Sequence, residues 1–128
     1  MKKFLFLPLL IVTYFSFAQG AKEIIGKPVK VGNILVACGN FPQKMTWDEA
    51  DKACRSLGEG WRLPTKTELN IIWQKKASIS SLCYFGDYDY WSSTQDYKNA
   101  WAQKFNEYGW TASISKNAQC VVRAVKSL

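Results

Sequence analysis

Apolar and polar positions follow two different rhythms along this chain, and the change of rhythm divides it. Within TWDEADKACRSLG, residues 46–58, Trp47, Ala50, Cys54 and Leu57 recur at helical spacing, which predicts an amphipathic helix. Thr46 and Glu49 make a capping box at its start, in which a hydroxyl and a carboxylate satisfy two orphan backbone donors. Gly58 supplies the stop, and Asp48, Glu49 and Arg55 match the helix dipole. A second capping box, Thr65 with Glu68, starts another helix at Lys66, with Leu69, Ile72 and Trp73 as its buried stripe. It is predicted to run to about Lys76. Between the helices lies GWRLPT, where Trp61 and Leu63 alternate with Arg62 and Pro64 disfavours helix at Leu63. This stretch reads as a joint that orients the second helix, with Glu68 the expected partner of Arg62.

Elsewhere the period is two. VKV at 29–31 and ILV at 34–36 flank Gly32-Asn33, which predicts two strand fragments around a two-residue turn or one bulged strand. From Ser78 onward the pattern turns to β. Tyr90 to Thr94 has strand composition; Trp101, Gln103 and Phe105 alternate with Ala102 and Lys104; Trp110, Ala112 and Ile114 resume after a turn at Asn106–Gly109. Cys120 to Val125 is apolar on both faces apart from Arg123, which predicts a central strand and a carboxylate partner for Arg123. Strands, two helices, then antiparallel strands make an α+β domain.

The first residues obey neither rhythm. Lys2 and Lys3 precede a 14-residue apolar run, Phe4 to Phe17, and Ser16-Phe17-Ala18 offers small residues for cleavage. This predicts a signal peptide over 1–18, with an uncleaved anchor as the alternative and no membrane span after cleavage. Residues 19–31 then form a lead-in and first strand, and 32–128 the domain proper. The formal net charge of +7 falls to +5 without the two lysines. That moderate excess lacks the dense basic run of a nucleic-acid arm and suits anionic glycans or membrane surfaces.

Four cysteines, Cys38, Cys54, Cys83 and Cys120, allow two disulfides in three pairings, or four buried thiols in a reducing compartment. The chain contains no His, which excludes His-dependent nucleophilic catalysis and His-ligated zinc.

The blocks KMTWDEADKAC, GWRLPTKTEL, YWSST, AWAQKF and VRAV, in this order over about Gly32 to Lys126, resemble the Lcl_C-type domain found at the C-terminus of collagen-like bacterial adhesins. Major-paralogous (FISUMP) domains look similar, as more distantly does the formylglycine-generating sulfatase-modifying domain. The resemblance implies a C-type-lectin-like fold in which Cys54 pairs with Cys120, leaving Cys38 with Cys83. The ligand motifs of calcium-dependent lectins are absent, and so is the closely spaced cysteine pair of the sulfatase-modifying enzymes. Neither calcium-mediated sugar binding nor that catalysis carries over.

Candidate ligand contacts are therefore aromatic and basic. Tyr88, Tyr97, Tyr108 and Trp110 lie near predicted turns, where exposed rings stack on sugars; Trp91, Trp101 and Phe105 are expected in the core. Lys98, Lys104 and Lys116, with Lys75 and Lys76, form a basic face if they converge. Asp87 and Asp89, with Asp96 nearby, are a weak candidate for calcium. The expected function is an exported, non-enzymatic, cofactor-free binding module for an anionic glycan or cell-surface ligand, in a bacterial periplasm or outside the cell. A protein-interaction or structural scaffold is the alternative.

Overall fold

A computed structural model describes residues 20–128 of the chain. The expected signal peptide, residues 1–18, lies outside the described residues. Residues 20–25 are helical, where the sequence suggested only a polar lead-in; Ile25 packs beside the core, and its carbonyl accepts from the Cys38 amide at 3.0 Å.

The first strands are β1 (Val29–Val31) and β2 (Ile34–Val36), joined by the expected two-residue turn with Gly32 at φ 58°. Then come helix α1 (Trp47–Ser56), the short strand β3 (Trp61–Arg62) and helix α2 (Lys66–Ile79). Both capping boxes form. Helix α2 passes its expected end near Lys76 because Ile79, one heptad beyond Ile72, continues the buried stripe. Strands β4 (Asp89–Gln95), β5 (Asn99–Lys104) and β6 (Thr111–Ser115) form a three-stranded antiparallel meander. The last strand, β7 (Val125–Ser127), enters the other sheet, ordered β1-β2-β7-β3 and antiparallel throughout.

Two apolar clusters share one wall. Val31, Ile34, Val36, Leu69, Ile72, Phe85, Tyr90, Phe105, Val121 and Val125 fill the first. The second holds Trp47, Ala50, Cys54, Trp61, Leu63, Trp91, Cys120, Val122 and Ala124. The extended run Cys120–Val125 therefore feeds them alternately, as a period of two demands. The structure corrects its assignment as one continuous strand: residues 120 and 121 make isolated bridges, to Met45 and Tyr90, and regular pairing begins only at Val125.

Arg123, 2% exposed, has no carboxylate partner among the described residues, contrary to expectation. Its Nε donates to Asn40 Oδ1 at 2.8 Å, Nη1 to the Ala37 carbonyl at 3.1 Å and Nη2 to the Tyr84 carbonyl at 2.6 Å. The guanidinium lies 4.0 Å from the Phe85 ring centroid, a cation–π contact. Burial lowers its pKa to about 10, which leaves it charged at neutral pH.

Arg62 and Glu68 form the expected pair, with Nη1–Oε1 2.7 Å and Nη2–Oε2 2.9 Å. Glu68 Oε1 also accepts the Thr65 amide at 2.9 Å.

A disulfide joins Cys38 and Cys83. Cys54 and Cys120 do not carry the second bridge that the resemblance implied: both are buried free thiols. Burial pushes each to about 12, so neither supplies the thiolate that exchange requires, and each packs as a small apolar group.

Unfolded without reductant, the protein is expected to titrate as two thiols per chain; none would mean that Cys54 and Cys120 are bridged. Closing a loop over a separation of 45 residues stabilises by about 4 kcal/mol in the chain-entropy model. The Cys38→Ser/Cys83→Ser variant is therefore expected to lose about 2–4 kcal/mol in urea unfolding. The Arg62 hydrogen bonds hold Glu68 below its ordinary pKa, so its stabilising contribution is complete above that ordinary value and decays as pH falls through the lower folded one. Glu68→Gln should cost about 1–2 kcal/mol at neutral pH, and its deficit against the parent should shrink below about pH 4.5.

Candidate functional site

The best-formed surface feature is the loop between β5 and β6. Asn106 organises it: its Oδ1 accepts the amides of Tyr108 and Gly109, both at 3.0 Å. Trp73, on α2, donates through Nε1 to the Asn106 carbonyl at 2.8 Å. Gly109 adopts φ 63°, and a Cβ there would enter the Trp73 ring; only glycine permits both the left-handed turn and that close approach. From beneath, Gln103 donates through Nε2 to the Gly109 carbonyl at 3.0 Å and to Asn70 Oδ1 at 2.9 Å.

This fixed loop carries two exposed rings. Tyr108 and Trp110 are 61% and 70% exposed and stack on one another, with centroids 5.4 Å apart and planes 30° apart. Gly109 and Thr111, the residues on either side of Trp110, line a polar groove of about 420 Å³ together with Lys66, Thr67 and Asn70; Trp110 itself alternates to the other face of the strand. Asn70 Oδ1 is taken by Gln103, which orients the carboxamide and leaves its N–H donors uncommitted among the described residues. Lys66 Nζ stands 3.5 Å from the Trp101 ring centroid. Gln103 is 1% exposed, and its Oε1 accepts no hydrogen bond among the described residues.

The meander separates the other expected contacts. Tyr97, 90% exposed, and Lys98 sit at the β4–β5 turn, beside Lys116, whose amide donates to the Lys98 carbonyl at 3.0 Å. Lys104, Tyr108 and Trp110 lie at the opposite end of β5, about 20 Å away at 3.3 Å per residue; Tyr88, just before β4, is at that end too. The lysines do not converge, and two of them are engaged. Lys116 Nζ bonds Gln95 Oε1 and lies 4.5 Å from the Trp47 ring centroid. Lys76 Nζ donates to the Phe105 carbonyl at 3.2 Å.

Tyr88 borders a recess of about 340 Å³ with Asn40–Lys44. Asp87 lies in another, of about 490 Å³, with Lys76, Tyr84 and Glu107. Asp96 turns away from such a role, accepting the Asn99 amide at 3.0 Å. Among the described residues no group of three or more His, Cys, Asp or Glu is placed to hold a metal ion.

Trp91 and Phe105 are buried as expected, but Trp101 is half-exposed beneath Lys66. Ala112, on β6, and Trp110, just before it, are exposed rather than half-buried. Sequence reasoning missed Lys66, Asn70 and Gln103. One clue was present: a lysine at the first position of a helix opposes the dipole and asks for a local compensation, which Trp101 provides.

Structural comparison places the fold among C-type-lectin-like domains. EMS16, an antagonist of the collagen receptor integrin alpha2beta1, superposes with a TM-score of 0.57 at 10% identity, covering 79% of this chain and 97% of its own. Botrocetin gives 0.57 at 12% identity, covering 80% and 96%. Botrocetin bound to a mutant von Willebrand factor A1 domain gives 0.57 at 11%, covering 80% and 98%. No curated protein matches the sequence. The sequence profile of the Lcl C-terminal domain (Lcl_C) matches residues 31–126.

Gly109→Ala is expected to lower stability by about 1–3 kcal/mol, through strain at a positive φ and the clash with Trp73. The near-ultraviolet circular dichroism should change with it as the loop shifts. A variant as stable as the parent would mean that Trp73 does not fix the loop.

Proposed function

The chain belongs to the Lcl C-terminal domain family, and from that premise we propose that it is an exported, non-enzymatic binding module for an anionic glycan. The observation that carries this reading is the stacked Tyr108–Trp110 ledge on the same loop whose Gly109 and Thr111 line the Lys66–Asn70 groove. A pyranose ring stacks its C–H face on an indole. Asn70, Thr67 and Thr111 offer hydrogen bonds to the hydroxyls of a neighbouring sugar across the strand edge, while the Lys66 ammonium meets a carboxylate or sulfate. The loop is already fixed by Trp73, Gly109 and Asn106, so little ordering cost remains at binding.

Tyr97 and Lys98, at the far end of the meander, are proposed as a second, outlying contact for a long chain rather than part of the same pocket. Lys104 lies opposite Trp110, its amide donating to the Trp110 carbonyl at 2.8 Å, while Tyr88 offers a separate contact at the recess beside Asn40–Lys44. The disulfide Cys38–Cys83 supports an oxidising compartment, and no described helix is long and apolar enough to cross a membrane. A scaffold that binds a protein is the second reading, favoured by the partners named for EMS16 and for botrocetin.

The test is a glycan array including sulfated and uronic-acid polysaccharides, at low and physiological salt, with and without chelator. Binding is expected to weaken with salt and to ignore the chelator. Trp110→Ala should weaken it about tenfold, equivalent to about 1.4 kcal/mol, and Lys66→Ala should flatten the salt dependence. Both variants should keep the parent's melting temperature. A blank array, with a protein captured in its place, would favour the scaffold reading.

A further inference from the structure

Every exposed sheet edge invites another strand unless it is short, charged or covered. Strand β1 has three residues with Lys30 at its centre. Strand β3 has two, and its Arg62 is committed to Glu68 and to Ser127. The outer side of β4 is covered: Trp91 donates to the Val121 carbonyl at 3.1 Å, Val121 to the Asp89 carbonyl at 2.9 Å and Ser93 to the Pro64 carbonyl at 2.7 Å. Strand β6 has none of these protections. It is five residues, Thr-Ala-Ser-Ile-Ser, without charge or proline and exposed except at Ile114.

The hydrogen-bond phase shows which groups are open. Lys104 donates to the Trp110 carbonyl at 2.8 Å and Lys116 to the Lys98 carbonyl at 3.0 Å, in the register that sets Ala102 opposite Ala112 and Ala100 opposite Ile114. Bonded and non-bonded pairs alternate in an antiparallel ladder. Ala112 and Ile114 thus spend their backbone groups on β5, while Thr111, Ser113 and Ser115 aim theirs outward.

The geometry points to a second copy of this chain as the occupant of that edge: two β6 strands pair antiparallel about a two-fold axis at Ser113. In this register Ser113 meets its own counterpart, Thr111 meets the partner's Ser115, and Ala112 meets the partner's Ile114. Hydroxyls face hydroxyls on one side and methyls face methyls on the other, and the bonded pairs fall on the three residues whose groups are open. Self-complementarity of this kind is what an isologous interface requires. The two meanders become one six-stranded sheet. Trp110 lies opposite the partner's Lys116, so the two aromatic ledges stand about 20 Å apart on one assembly. A repeating polymer could then engage both at once. A strand-edge contact of this length belongs with small, transient interfaces, so a concentration-dependent equilibrium is expected.

Sedimentation equilibrium of the purified protein over a wide concentration range tests this. A monomer–dimer equilibrium is expected for the parent. Ser113→Lys, which sets two ammonium groups against each other on the axis while leaving an exposed position in the monomer, should weaken the dimer at least tenfold with an unchanged melting temperature. Ser113→Cys should give a covalent dimer on mild oxidation, whereas Lys30→Cys, on the β1 edge, should not. A parent that stays monomeric at hundreds of micromolar, or a Ser113→Lys variant that dimerises like the parent, overturns the proposal. Glycan binding by monomeric Ser113→Lys separates this outcome from the ligand reading, since the ledge and groove remain intact in each copy.

Discussion

Residues 120–125 must be buried on both faces and yet lie between two sheets, and the rest of the fold is arranged to satisfy that run. Cys120, Val122 and Ala124 enter the cluster beneath α1, while Val121 and Val125 enter the one beneath α2. Before β7 its backbone takes partners from five residues: Ala37, Phe41, Met45, Asp89 and Trp91. No single ladder supplies them, which is why pairing there is piecemeal. Arg123 sits in this run because one long side chain with several donors can gather acceptors that no neighbouring strand reaches. Those acceptors lie at Ala37, Asn40 and Tyr84, on the same two segments that the Cys38–Cys83 bridge ties together. A carboxylate in their place would add a second desolvated charge; three neutral acceptors and the Phe85 ring spread the cation's cost over groups that needed donors anyway.

The placement of α2 follows from the joint before it. GWRLPT brings Arg62 to Glu68, Glu68 to the Thr65 amide, and the Lys66 amide to Thr94 Oγ1 at 2.9 Å. These bonds set both the start and the azimuth of the helix. Asn70 and Trp73 lie on its side towards β5 and the β5–β6 loop, and through them the helix fixes Gln103 and Gly109. The motif that stands out in the sequence is therefore one step removed from the ledge: it touches no ligand surface there, but the loop geometry is inherited from it. A recognition surface on a rigid scaffold needs such a chain of constraint, since a loop alone carries too few contacts to hold two aromatic rings in one arrangement.

The helices were legible because caps and a 3.6-residue period are local: Thr46–Glu49, Thr65–Glu68 and the stripe through Ile72 lie within a turn or two of each other. The β half was legible in kind and not in detail. An apolar run such as Cys120–Val125 reads the same whether its neighbours form one ladder or several bridges. Alternation at Ala112 and Ile114 is real, but burial needs a second layer, and the core reaches Ile114 without covering Ala112. The candidate ligand residues show the same division. Closeness to turns made Tyr97, Tyr108 and Trp110 candidates for exposure, and the structure exposes all three. That Lys98 and Lys104 sit at opposite ends of one strand followed only from the meander, and the acceptors of Arg123, 39 to 86 positions away, left no local trace.

Lysines stand out in the composition, yet the structure consumes several of them on neutral partners. Lys116 lies against Trp47 and Gln95, and Lys76 holds the Phe105 carbonyl. Lys66 is different in kind. Its ammonium rests on the Trp101 face at the N-terminal end of α2, where the helix dipole already favours negative charge. The ring's negative face compensates the misplaced cation in the free protein. An arriving carboxylate or sulfate would meet the ammonium and the positive end of the helix together, so the residue least suited to its helix is the one best placed to receive an anion. On the proposed reading, electrostatic selectivity at this groove would arise from one local frustration, with no need for the basic residues to gather.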